Sequence, residues 1–164
     1  MAQEYLEIVF RIVAALVAGG LIGLERSHRG RPAGFRTHAL VCLASSLLML
    51  VTVYETHWIR VAVGTNLVLD PTRMAQGIMT GIGFVGAGAI IKEGFTVRGL
   101  TTAASIWVAA SIGMAVGFAY FGVAVFATIL VAVVLTGLKP LEDRVFPLRR
   151  NRRRSDPPPH EPPE

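Results

Sequence analysis

Thr101 to Leu138 runs for 38 residues without one Asp, Glu, Lys or Arg. A continuous helix of that length would be about 57 Å long, nearly twice the hydrocarbon thickness of a bilayer. A buried strand is too short to account for the run, and a soluble core helix carries charge on its outer face. Two membrane crossings joined by a tight turn accommodate it. Gly117-Phe118-Ala119-Tyr120-Phe121-Gly122 supplies the turn, with glycines to reverse the chain and aromatic rings suited to the interface.

The rest of the chain has the same character. Of 164 residues, 52% are hydrophobic and only 16% charged, and the charges fall in a few clusters between apolar stretches. Three further spans are expected at about Ile8–Leu24, Thr37–Tyr54 and Met74–Ile91. Glu4 and Glu7 stand where a signal peptide would be positive, so the first span is read as a retained helix. Arg11, one turn inside it, can pair with Glu7 or snorkel to the interface. Asp70-Pro71 reads as an N-cap followed by the first helical residue of the third span. The expected fold is all-α and integral to the membrane, with five short transmembrane helices in residues 1–140. Pro140 and Arg149 to Arg154 mark the exit, and residues 141–164 form a basic, then Pro-rich tail expected to be largely disordered.

Charge orients the helices. Lys and Arg number four in the loop Glu25–Arg36, two in Lys92–Gly99 and seven after the last span, against Arg60, Arg73 and the boundary residue Arg11 on the other side. The excess of cytoplasmic Lys and Arg in membrane proteins then puts the N-terminus outside and the C-terminus in the cytoplasm. The net charge of +5 is thereby assigned to topology and membrane lipid, not to nucleic acid, whose aromatic-interleaved basic patches are missing. Cys42 is the single cysteine, which excludes an intrachain disulfide and a Cys-based metal cage.

Gly81-Ile82-Gly83-Phe84-Val85-Gly86 matches the dinucleotide-binding pattern but lacks the preceding strand and the acidic residue about twenty positions on. Gly77, Gly81, Gly83, Gly86 and Gly88 make the third helix thin all round. Gly77 with Gly81, Gly19 with Gly23, and Gly113 with Gly117 are small-xxx-small pairs, expected to pack helices closely within the bundle or across a dimer. A second reading has the glycines interrupting the third helix to line a polar cavity.

Two polar segments fall on the cytoplasmic side. The first holds Glu25, Arg26, Arg31, Arg36 and His38; the second holds Glu93, Arg98 and Thr102. Glu25 is expected to pair with Arg98, and Glu93 with Arg26, Arg31 or Arg36, while Thr101 and Thr102 cap the fourth helix. His38 is expected to be hydrogen-bonded, not metal-ligating. Glu25 and Glu93 are the candidate metal ligands, chemically suited to Mg²⁺, though too few and too surrounded by arginine for a cage. With no nucleophile beside a base and no paired carboxylates in one segment, the chain reads as a non-enzyme without a resident cofactor.

GLIGLERSHRGRPAGFRTHALV in the first third and GIGFVGAGAIIKEGFTVRGLTTAASIWVAASIGMAVG in the centre closely resemble the MgtC/SapB family of bacterial membrane proteins, over about residues 8 to 138. The resemblance implies a multi-pass bacterial inner-membrane protein tied to growth at low magnesium and, in some members, to survival inside host phagocytes. It implies partners among other membrane machines, such as the F-type ATP synthase or a magnesium transporter. Glu25, Arg26, Gly30, Gly34, Arg36, Gly81, Gly83, Gly86, Gly88, Glu93, Arg98, Gly99 and Thr102 match the family's characteristic positions. Many members carry an ACT-type cytoplasmic domain after the last span; the last 25 residues here are too short and Pro-rich for one, so a form without it is expected. Two functions follow as expectations: a regulator acting through its cytoplasmic loops, or a magnesium transporter or channel working as an oligomer.

Overall fold

The computed structural model describes residues 2–63 and 70–145. Five helices and one hairpin follow in order: α1 (Ala2–His28), α2 (Phe35–Val63), α3 (Pro71–Gly88), β1 (Ile91–Glu93), β2 (Thr96–Arg98), α4 (Leu100–Gly117) and α5 (Phe121–Val145). Within them, Ala2–His28, Phe35–Tyr54, Leu100–Gly117 and Phe121–Leu138 are long and apolar enough to cross a membrane. The uncharged run breaks where its glycines and aromatics predict, with Phe118 to Tyr120 between α4 and α5 and Ala119 in the left-handed region at φ 64°.

At 18 residues α3 is about 27 Å long, enough for a crossing, but Arg73, Gln76 and its glycines dilute its apolar character. Its course follows from its neighbours. A Cβ added at Gly86 would lie 3.6 Å from the Ala103 Cβ, and the Ser111 hydroxyl lies 3.7 Å from the Met79 sulfur. These pairings run α3 antiparallel beside α4 over Met79–Gly86, so its axis lies along the bundle with its neighbours. The fold is all-α and membrane-spanning, as expected.

Several boundaries move. α1 and α2 extend beyond Ile8–Leu24 and Thr37–Tyr54, and α3 begins at Pro71 and ends at Gly88, three residues short of Ile91. It is one continuous helix, which removes the reading in which glycines interrupt it. The expected loop Lys92–Gly99 is largely an antiparallel hairpin pairing Ile91 with Arg98, Lys92 with Val97 and Glu93 with Thr96. Gly94 at φ 58° followed by Phe95 provides the two-residue turn, in the pattern that places glycine first. α5 continues through Pro140 to Val145, past the apolar stretch Phe121–Leu138 that is long enough to cross a membrane. The Arg149–Arg154 cluster and the Pro-rich tail lie outside the described residues.

Asp70 caps α3 as the sequence predicts. Its carboxylate accepts from the Thr72 amide at 2.9 Å and from the Thr72 hydroxyl at 2.6 Å. The hydroxyl, then the amide, hold the Asp70 carboxyl below its ordinary value. A depressed carboxyl contributes stability that is present above its unfolded pKa and lost as pH falls through the folded one. Protection of the Thr72 amide from exchange is therefore expected to fall in acid, below about pH 4, and Asp70→Ala should abolish it at neutral pH while Asp70→Asn retains most of it.

The core lies between α1, α2 and α4, and glycines set the spacing. A Cβ at Gly23 would stand 2.6 Å from the Phe35 Cα, and one at Gly117 would stand 2.6 Å from the Met49 Cβ. At Gly19 it would overlap the His38 carbonyl oxygen, and at Gly113 that of Cys42. Two of the three small-xxx-small pairs thus bring backbones together inside the chain. Gly77 and Gly81 do not: nothing lies within 4 Å of a Cβ added at either, nor at Gly83 or Gly88. Around the close approaches, Ala15, Ile22, Cys42, Met49, Ile106, Ala109 and Ile112 are buried.

At the end of the bundle where α4 stops, Arg11 is buried beneath the N-terminal part of α1. Its Nη1 donates to the Gly117 carbonyl at 2.9 Å and its Nη2 pairs with Glu7, while Phe10 meets Phe121 edge to face at 5.2 Å. A guanidinium on the last carbonyls of α4 satisfies acceptors that the helix end leaves open. The described residues divide into two units, with the division at Val133 inside α5, whose distal part belongs to the second.

Candidate functional site

The opposite end of the bundle gathers the polar chemistry. Phe35 opens α2 with its amide donating to the Ser27 hydroxyl at 2.8 Å, which ties the last turn of α1 to the first of α2. Gly34 has to be a glycine for this, because a Cβ there would overlap the Ser27 Oγ. Gly30 and Ala33, at φ 60° and 55°, turn the chain between the helices. An open cleft of about 380 Å³ lies alongside, lined by Ser27, Gly34, Phe35, Arg36 and Thr37.

Behind the cleft a hydrogen-bonded chain crosses from α1 to α4 to α2. Arg26, 5% exposed, donates through Nη2 to the Thr102 hydroxyl at 2.5 Å. The Ser105 hydroxyl lies 2.8 Å from the Thr102 carbonyl and 3.0 Å from His38 Nε2, and His38 Nδ1 lies 3.0 Å from the Gly34 carbonyl. A carbonyl only accepts, so Nδ1 carries a proton. The neutral ring then accepts at Nε2 from the Ser105 hydroxyl. A charged ring would instead donate to Ser105 and send that hydroxyl proton to the Thr102 carbonyl. His38, fully buried, thus joins α2 to α4 through one serine whose hydroxyl has two acceptors within reach.

Beside this chain both Glu25 carboxylate oxygens are sealed from solvent without a hydrogen bond, with Arg29 Nε 2.6 Å from Oε1 as the ion-pair partner. Arg26 Nε is also buried without a partner. Such groups are costly to bury, and the Arg29 charge offsets part of that cost for Glu25; Arg11 Nε at the other end and Ser46 Oγ within the bundle are buried without partners as well.

The expected charge network takes a different form. Glu25 pairs with Arg29, four residues on and just past the end of α1, and not with Arg98; Arg26 turns inward to Thr102 and not to Glu93. Among the described residues Glu93 and Arg98 form no ion pair and stand exposed on the hairpin, with Arg31 exposed on the first loop and Arg36 in the first turn of α2. Thr102 does not cap α4. Gly99 does so in the left-handed conformation at φ 88°, where a Cβ would overlap the Ala89 carbonyl oxygen. Among the described residues no group of three or more His, Cys, Asp or Glu converges, so Glu25 and Glu93 are not joined in one such group. Sequence reasoning overlooked Ser27 and Arg29. Ser105 is not among the candidate residues above either, although Thr102 and Ser105 are spaced i, i+3 on one helical face.

This arrangement sits in a chain whose residues 12–144 match the model of the MgtC family. The chain belongs to the MgtC family. Its relatives include YhiD of Escherichia coli K12, whose name assigns it provisionally to magnesium transport, at 40% identity over 85% of this chain and 64% of that protein. An uncharacterized protein of Haemophilus influenzae is 37% identical over 93% of this chain and 63% of its own length. Protein MgtC of Brucella suis is 40% identical over 79% of this chain and 50% of its own. The chain therefore spans between half and about two thirds of these relatives' lengths. No solved structure matches it. For a member of the MgtC family, the buried Arg26–Thr102–Ser105–His38 chain places polar side chains from both matching segments in one site.

Proposed function

We propose that this chain is a regulatory protein of the bacterial inner membrane, tied to adaptation to low magnesium, whose basic end engages a second membrane protein. The observation that carries the reading is the concentration of polar groups at that end. Glu25 holds a sealed carboxylate, and Arg31, Arg36, Glu93 and Arg98 stand exposed at the same end of the bundle. The bundle centre, by contrast, is filled where Gly113 and Gly117 meet α2, which favours a binding face over a conduction path within one chain. The partner class that family resemblance suggests is another membrane machine, such as the F-type ATP synthase or a magnesium transporter. The chain is proposed to do no bond chemistry of its own.

Glu25→Ala and Arg98→Ala are each expected to abolish support of growth at low magnesium in a strain lacking its own MgtC-family gene, with membrane levels unchanged. Wild-type growth by both variants would remove this end of the bundle from the account.

A second reading, a magnesium transporter working as an oligomer, draws on the name of YhiD and on the outward face of α3. Gln76, Gly77, Thr80 and Gly81 are exposed there, and small residues beside hydrogen-bonding ones suit pairing with a second copy. Crosslinking through α3 at native membrane levels tests the dimer; recovery of monomer alone would count against it.

A further inference from the structure

The hairpin β1–β2 stands apart from the rest of the bundle. Every residue from Ile90 to Arg98 is exposed, and Phe95 at the turn is fully so, at 109%. Two strands of three residues are marginal on their own in water. Their few free main-chain groups also offer little edge to an added protein strand, which argues against a partner that docks by extending the sheet.

Position supplies the alternative. The hairpin joins the end of α3 to the start of α4, and the bond from Arg26 to Thr102 fixes that end as the one carrying the basic loop. With α3 about 27 Å long, the helix end lies at the edge of the hydrocarbon, and three strand residues reach only about 10 Å beyond it. The hairpin is therefore within reach of the headgroup layer along its whole length. Its exposed apolar groups, Ile91, Phe95 and Val97, continue from Ile90 and Leu100 at its base. Its charges, Lys92 and Arg98 against Glu93, are net positive, and Arg31 and Arg36 add exposed positive charge at the same end.

We propose that the hairpin is a lipid-binding element that lies in the headgroup layer, with Phe95 inserted as an interfacial anchor and Lys92 and Arg98 on the phosphates of anionic lipid. An aromatic ring at the interface beside basic side chains is a chemically matched pair for that layer. Anchoring would hold the first turn of α4, and with it Thr102, against Arg26. On this reading Arg98 serves that end of the bundle through lipid, by holding the hairpin in place, whether the chain regulates or transports.

The test uses the full chain in nanodiscs of phosphatidylglycerol or phosphatidylcholine. The F95W reporter is introduced with Trp58→Phe and Trp107→Phe, so that it is the only indole of the chain, and the signal of discs without the chain is subtracted. Strong quenching by lipid brominated near the headgroup is expected in phosphatidylglycerol, at least twofold weaker in phosphatidylcholine and in a Lys92→Glu, Arg98→Glu version. Amide exchange on the unaltered chain provides a second reading, with the hairpin amides slower in the anionic disc. A reporter that brominated lipid leaves unquenched and aqueous iodide quenches in both discs would overturn the proposal, leaving the hairpin free for water or a protein. Equal quenching in the two lipids would overturn the assignment of Lys92 and Arg98 to anionic headgroups.

Discussion

Gly113→Val is expected to deplete folded protein from the membrane. α2 and α4 approach so closely at this point that a Cβ would overlap the Cys42 carbonyl oxygen and lie 3.0 Å from the Cys42 Cα. Both obstacles are backbone, so no side-chain rotation relieves the clash and the helices have to separate. Overpacking of this kind costs about 3 kcal/mol, with the contacts of Ile112 and Val116 loosened as well. The control is Gly81→Val on the open face of α3, where nothing lies within 4 Å and the expected change is within about 0.5 kcal/mol. Membrane level and resistance to unfolding in detergent measure both. Equal behaviour of the two variants would refute the packing of α2 on α4.

The second large effect is expected at Arg26. Its guanidinium is the charged member of the buried chain and the neighbour of the sealed Glu25 carboxylate. Arg26→Met keeps much of the volume but leaves Thr102 without its donor and that carboxylate with Arg29 as its remaining counter-charge. Breaking one member of a buried charged set costs about 3 kcal/mol, and removing the second charge as well returns part of it. Glu25→Gln combined with Arg26→Met is thus expected to be more stable than Arg26→Met alone. Strict additivity of the two substitutions would show that the groups do not interact.

These two sites also show what the sequence revealed and where it fell short. The spacing of Gly113 and Gly117 marked a close helix contact, and Asp70-Pro71 and the Gly117–Gly122 turn marked helix ends, because each depends on local backbone requirements. Gly77 and Gly81 have the same spacing, yet their packing partner depends on which face of α3 meets α4, a tertiary fact that spacing does not carry. The hairpin was legible in principle, with Gly94 between short runs of alternating residues, but its polar residues disguised it as a loop. Glu25 illustrates a different limit. Its pairing with Arg98 was plausible from the topology, yet Arg29 is one helical turn away and needs no loop to be ordered before they meet. Arg26 was identified as a loop charge; its burial against Thr102 required knowing that α1 continues to His28.

The central claim, that the basic end acts on a partner and the chain does not itself carry magnesium, is tested most directly by flux. Purified full-length chain in proteoliposomes, beside empty liposomes and the Glu25→Ala and Glu93→Ala variants, is expected to pass no Mg²⁺ above the empty control. Magnesium-specific flux by the unaltered chain that is lost in those two variants would contradict the account and make the same carboxylates part of a transport path.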